Sequence, residues 1–179
     1  AITVIGERLA PNYRDNLDWD ILKKMDGIFI TASDSEIFKM ARSASILCTT
    51  PRVGINTINK SNVSLDGLIG SNLDPGEEFS FSELLVKPKY TIKTEGEKGG
   101  IIFPGGRYEA LKNKDRKVDS YGCGDSFAAG ILYGMASNWD IDKSLNLAKV
   151  IGRDSSEFFG PYANSCLLYT SPSPRDDPL

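Results

Sequence analysis

Apolar residues fall into short runs separated by charged or glycine-rich segments, and two periodicities account for most of them. Ile2-Thr3-Val4-Ile5 is rich in β-branched residues, the pattern of a short buried strand. A loop over Gly6–Asn12 follows, where Pro11 discourages helix at Ala10. Leu17, Ile21 and Met25 lie four apart and predict a short amphipathic helix over Leu17–Met25. Gly27–Thr31 is apolar throughout, as in a parallel strand covered on both faces. Ser33 and Glu36 have the spacing of a capping box, opening a helix with Ile37, Met40, Ala41 and Ala44 as its buried stripe. Ser45–Thr49 predicts the next strand, ended by Thr50-Pro51, and Arg52–Ser64 is polar and weakly patterned.

Farther on, Leu65–Ile69 predicts a short strand, Asp74-Pro75-Gly76 a turn and Glu77–Leu85 a helix. Tyr90–Thr94 and Gly100–Phe103 read as strands around the turn Glu95–Gly99, with a further strand expected over Arg107–Leu111 and a charged loop over Lys112–Lys117. A helix with Phe127, Ile131 and Met135 on one face runs to about Ser137, while Ala128, Ala129 and Gly130 let other backbone pack close. The last helix covers Asp142 to about Gly152, capped by Asp140 or Asp142. Such alternation predicts an α/β fold with a mainly parallel sheet, one domain or part of one.

Composition narrows the function classes. A chain of 179 residues, 40% hydrophobic and 25% charged, can bury one core of ordinary size. A net charge of −3 supplies no basic footprint for nucleic acid. No apolar run approaches the roughly 20 residues that span a bilayer, so a cytoplasmic protein is expected. Histidine is absent, which removes His-dependent triads and most zinc chemistry, and three scattered cysteines suggest no disulfide framework.

Chemistry concentrates in Asp119-Ser120-Tyr121-Gly122-Cys123-Gly124-Asp125, placed where a helix begins. Gly122 and Gly124 allow a tight turn and remove Cβ atoms that would crowd a ligand. The open N–H groups and the dipole of a helix start favour an anion such as phosphate. Asp125 stands there as a carboxylate able to take a proton; the plainer alternative is a glycine-rich loop whose Asp125 merely caps a helix. Anion hole plus base is an arrangement for phosphoryl transfer.

Asp119–Gly130 resembles the C-terminal signature of the ribokinase-like (PfkB-type) carbohydrate kinases, approximately Asp-Thr-Thr-Gly-Ala-Gly-Asp-x-Phe-x-x-Gly. Thr94-Glu95-Gly96-Glu97-Lys98-Gly99-Gly100 resembles the same family's Thr-x-Gly-x-x-Gly strand end. The resemblance covers roughly residues 1 to 160, all from the second half of such a kinase. It implies a three-layer α/β/α sandwich lacking its N-terminal half and lid, and transfer of the ATP γ-phosphate to a sugar or nucleoside hydroxyl. Asp125 would be the base, and Gly122, Cys123 and Gly124 would offer N–H groups to the transferred phosphoryl. Thr94 and Gly96 would lie along the ATP phosphates, with Gly99 shaping that turn. Mg²⁺ would accompany ATP, held largely by phosphates and water.

Departures from the family pattern are as informative. Tyr121 replaces a small Thr, either packing under the loop or narrowing the nucleotide side, and Cys123 replaces Ala as a small apolar residue. The Asn-x-x-Glu element that organises metal is not intact in Gly70–Glu77. Ser71 with Asp74 keeps its spacing, Asn72 with Glu77 keeps its residues, and a bare turn is the other reading. Such changes leave open a nucleotide-binding protein with impaired chemistry. A dinucleotide-dependent oxidoreductase is disfavoured, because no Gly-x-Gly-x-x-Gly follows the first strand.

Both ends are expected to be truncated. Ala1 opens in a strand pattern, and Cys166–Asp176 resembles one reading frame of a transposon-end sequencing adapter, against the alternative of a Ser/Pro-rich disordered tail. Residues 1–165 are then the C-terminal part of a kinase domain and 166–179 a non-native tail. Such a piece is expected to be inactive alone. Glu7-Arg8 reads as a surface ion pair or a substrate neighbour, and dimerisation in the family often uses the lid, which leaves a homodimeric parent open.

Overall fold

Successive strand residues point to opposite faces, and that alternation sorts the core into two halves. A computed structural model describes residues 10–113 and 118–158; the strand expected at Ile2–Ile5, Glu7-Arg8 and the tail from Cys166 lie outside them. Six strands order sequentially in one sheet: β1 (Gly27–Ile30), β2 (Ile46–Thr49), β3 (Gly67–Ser71), β4 (Tyr90–Thr94), β5 (Gly100–Phe103) and β6 (Gly106–Tyr108). β1 to β4 pair in parallel, and β5 and β6 add antiparallel. Ile30, Leu47 and Leu68 face helices α1 (Ser35–Ala41) and α2 (Ile55–Ser61), packing with Ile37, Phe38, Ala41 and Ile58. Phe29, Cys48, Ile69, Ile92 and Ile102 face the other way. There they meet Phe127, Ile131 and Met135 of α3 (Cys123–Ala136) and Leu145 and Ala148 of α4 (Ile141–Ser155). The result is a three-layer α/β/α sandwich with a mainly parallel sheet. Burial pushes the Cys48 thiol up to about 12, so it packs as a protonated apolar group.

Local chemistry explains where the observed elements differ from those expected. Leu17–Met25 contains a 3₁₀ helix, Trp19–Lys24, and Leu17, Ile21 and Met25 are exposed. Its three-residue period puts Trp19 and Leu22 on one side, and these two reach the core. The cap of α1 is Asp34 rather than Ser33: its carboxylate accepts from the N–H groups of Glu36 and Ile37 at 2.9 and 3.0 Å. In the weakly patterned stretch lies α2, a helix burying only Ile58 and Ser61 and ended by Asn62 at φ 52°. Glu77–Leu85 forms no α-helix. Two 3₁₀ turns, Pro75–Glu77 and Phe81–Glu83, stand there instead. Glu83 bonds back to the Ser80 N–H at 2.6 Å, and Glu77 bonds back to the Ser71 N–H, so both carboxylates stabilise turns that compete with helix. β6 is shorter than the strand expected over Arg107–Leu111.

α3 and α4 pack backbone to backbone. A Cβ on Gly130 would stand 2.7 Å from the Ala148 Cα, and one on Gly134 would stand 2.4 Å from the Ser144 Oγ. Ala128 is buried as expected, whereas Ala129 is exposed. Asp140 caps α4 by accepting from the Lys143 N–H at 2.7 Å. Gly130→Ala should lower stability by about 1–2 kcal/mol despite its gain in helix propensity, because Ala148 backbone cannot yield as a flexible side chain would. Urea denaturation giving an unchanged or higher midpoint would show that the helices can separate at no cost.

Candidate active site

Parallel winding brings the carboxyl ends of β2, β3 and β4 to one side of the sheet, where α/β folds commonly bind ligands. The segments leaving them are Thr50-Pro51-Arg52, Ser71–Glu77 and Glu95–Gly99; the start of α3 and the inner face of α4 complete a cleft of about 1140 Å³. Every residue singled out from the sequence as catalytic, anion-binding, nucleotide-binding or metal-linked lines it: Ser71, Asp74, Thr94, Gly96, Gly99, Gly122, Cys123, Gly124 and Asp125.

Gly122 caps α3 at φ 81°, a left-handed conformation that strains any residue with a Cβ. The Cys123 N–H turns back to the Ser120 carbonyl at 3.3 Å, and the helical ladder starts with the Ser126 N–H on the Gly122 carbonyl at 2.9 Å. No side chain caps this end. The N–H groups of Gly124 and Asp125 precede that first rung and have no partner within the helix. A Cβ on Gly124 would meet nothing within 4 Å, and the Asp125 carboxylate is exposed in the same opening. Tyr121 is 70% exposed and lines the cleft rather than packing under the loop. The Cys123 thiol is half-buried and donates to the Asp119 carbonyl at 3.8 Å.

Across the cleft, β4 ends in a 3₁₀ turn over Gly96–Lys98, closed by the Glu95 N–H on the Gly99 carbonyl at 2.7 Å. Gly96 and Gly99 have φ of 60° and 85°. The Asn72 amide, first, and the Arg107 guanidinium, second, donate to the Glu95 carboxylate and hold it below the usual carboxylate range. The Thr94 hydroxyl faces the Gly70 carbonyl at 3.4 Å. Gly99 sits against β6: a Cβ there would stand 2.0 Å from the Tyr108 carbonyl oxygen. The Tyr108 ring stacks on Phe127 of α3 at 6.0 Å, tying this turn to the opposite wall. Burial pushes the Tyr108 hydroxyl's pKa up.

The end of β3 carries a network the sequence did not reveal. Glu77, its side chain 11% exposed, accepts from the Ser71 N–H at 2.6 Å, the Thr50 hydroxyl at 3.1 Å and the Arg52 Nε at 3.2 Å. Arg52 also bonds the Asp74 carboxylate through Nη2, and the other Asp74 oxygen accepts from the Gly76 N–H at 2.8 Å. The Ser71 hydroxyl accepts from the Leu73 N–H at 3.0 Å. Ser71, Asp74 and Glu77 thus spend their oxygens on protein donors, and no group of three His, Cys, Asp or Glu among the described residues could hold a metal ion. These side chains do not fit a protein-built Mg²⁺ site. Arg52, Thr50, Tyr108, Lys149 and Arg153 line the cleft too and went unnoticed in the sequence. The position of Arg52 just after a strand end was the available signal for one of them.

Solved structures similar to this chain include a probable sugar kinase, a ribokinase and a nucleoside kinase. A probable sugar kinase from Rhizobium etli is 16% identical, with 88% of this chain and 55% of that one covered at a TM-score of 0.64. The adenosine kinase of Sinorhizobium meliloti is 17% identical, covering 87% and 55% at 0.63. The Burkholderia thailandensis nucleoside kinase, solved with inosine, is 21% identical, covering 78% and 53% at 0.60. The chain spans about half the length of these structures. Identities this low show a shared fold, and that fold is ribokinase-like. Residues 81–155, from the turn before β4 to the end of α4, match the pfkB family carbohydrate kinase, which bears out the resemblance carried by the Thr94 and Gly122 segments. No curated protein matches the chain. None of its described helices is long and apolar enough to cross a membrane.

Two glycines of the cleft separate fold from ligand. Gly99→Ala should cost about 2 kcal/mol or more, since it combines a left-handed φ with a backbone clash. Gly124→Ala should leave the thermal midpoint unchanged or slightly raised, as its Cβ enters open space and alanine suits a helix. Equal melting shifts for the two variants would contradict this distinction.

Proposed function

We propose that this chain carries the phosphate-side half of a kinase site, transferring the γ-phosphate of ATP to a hydroxyl of a sugar or nucleoside. The observation that carries the reading is the position of Asp125 within the first turn of α3, its carboxylate exposed in a cleft whose facing wall is the Thr94–Gly99 turn. Asp125 accepts the proton of the attacking hydroxyl as its oxygen bonds the γ-phosphorus and the bond to the departing ADP breaks. The N–H groups of Gly124 and Asp125, with Gly122 setting the turn and Cys123 the first helical position, face the charge on the transferred phosphoryl. Thr94, Gly96 and Gly99 lie along the remaining phosphates. Mg²⁺ accompanying ATP would neutralise phosphate charge, held largely by phosphate oxygens and water.

A cytoplasmic enzyme acting on small polar substrates suits this reading, and a homodimer is compatible with it. Because the chain spans about half the length of its structural neighbours, turnover by residues 1–179 alone should fall far below the roughly 1–100 s⁻¹ of ordinary kinases. A second reading, a nucleotide-binding protein with impaired chemistry, draws on the engaged oxygens of Ser71 and Asp74. Asp125→Asn, made in a protein extended to the length of those neighbours, separates the two. Under the kinase reading kcat drops by about 10²–10⁴-fold while the Kd for ATP changes little. Unaltered turnover would remove Asp125 from the mechanism, and absence of turnover in wild type across sugars and nucleosides would favour the binding protein.

A further inference from the structure

Arg52 is the cation of the cleft with the most unusual setting. It sits one residue beyond the Pro51 that ends β2, and its guanidinium bridges Glu77 through Nε and Asp74 through Nη2. The two contacts differ in kind. Glu77 is nearly buried and keeps the Ser71 N–H and the Thr50 hydroxyl as partners whatever Arg52 does. Asp74 is about one-third exposed and Arg52 nearly half, so solvent and salt screen their ion pair and its release costs little. Arg52 is thereby tethered at one end and loosely held at the other, beside the strand ends that line the cleft.

We propose that Arg52 is the phosphate-chain cation of this cleft: its guanidinium exchanges Asp74 for a polyphosphate oxygen, supplying charge where Asp74 and Glu77 ligate no metal of their own. The inference rests on the proposed nucleotide site and adds to it a specific cation. A planar guanidinium suits that task because it can offer two parallel N–H donors to phosphate oxygens while Nε stays on Glu77. The consequence is particular. A cleft that carries its own fixed cation should bind ATP with the metal chelated, whereas a site dependent on a protein-held metal should not.

Isothermal titration of the full chain with ATP, in EDTA and in excess Mg²⁺, tests this, with adenosine as an uncharged reference. Wild type should bind ATP in both conditions. Arg52→Met should weaken metal-free ATP by about tenfold or more and leave adenosine unaffected, and Arg52→Lys should recover part of that loss. Asp74→Asn frees the guanidinium, so it should tighten metal-free ATP; weakening of Mg²⁺-ATP alone would instead make Asp74 a metal ligand and overturn the inference. Mn²⁺ alone, followed by water-proton relaxation, should find no site in wild type, and a stoichiometric site lost in Asp74→Asn would also overturn it. If wild type binds ATP and Arg52→Met binds it equally well in EDTA, the inference fails while the nucleotide site stands. If wild type binds no ATP in either condition, both fall together.

Discussion

Close approach of α3 to α4 governs where the functional end of α3 can stand. With Gly130 and Gly134 on the shared face, the backbone of Ala148 and Ser144 comes within a distance that any side chain would prevent. Phe127, Ile131 and Met135 pack with strand residues in one cluster, which sets the helix axis in two directions at once. Once that axis is set, the first turn opens over the strand ends, and Gly122 and Asp125 follow without further adjustment. The Tyr108–Phe127 stack extends the same restraint to β6 and, through Gly99, to the facing turn. Both walls of the cleft are referred to one helix pair.

Charge in the cleft is arranged in local pairs. Glu95 is engaged by Asn72 and Arg107, and Glu77 by two backbone-near donors and Arg52. These pairs brace neighbouring loops: Asn72 belongs to the segment after β3, Arg107 to β6, and Thr50 to the end of β2. A carboxylate that joins neighbouring segments in this manner can hold geometry without acting on a substrate. Asp125 differs in being exposed where the helix-start donors also open.

Legibility of the chain depended on whether a segment's structure was written in its own neighbours. Strands β1 to β5 and helix α3 were readable because their apolar residues are contiguous or strictly periodic, and the two glycine-bearing segments were readable as motifs. α2 was not, because one buried Ile58 and one buried Ser61 leave hardly any pattern. Glu77–Leu85 misled because acidic and apolar residues at helical spacing are consistent with a helix, whereas Glu77 and Glu83 serve turns through contacts invisible in sequence. The amphipathic spacing of Leu17, Ile21 and Met25 misled similarly, since a three-residue period turns Trp19 and Leu22, both half-buried, toward the core instead. In the cleft, residues belonging to recognisable motifs were legible. Thr50 and Tyr108 were not, because tertiary winding alone brings them there, and Arg52 offered only its place just after a strand end.

The two walls of the cleft also differ in mechanical character. One is a packed helix pair whose contacts run through buried side chains, and the other is a set of 3₁₀ turns with exposed residues over Gly96–Lys98 and Pro75–Glu77. Amide hydrogens in such turns open through small local fluctuations, while those within α3 wait for larger ones. A ligand bridging the cleft therefore spends its ordering effect almost wholly on the turns. The stiff wall sets where the ligand sits, and the soft wall records in its exchange rates that it has arrived.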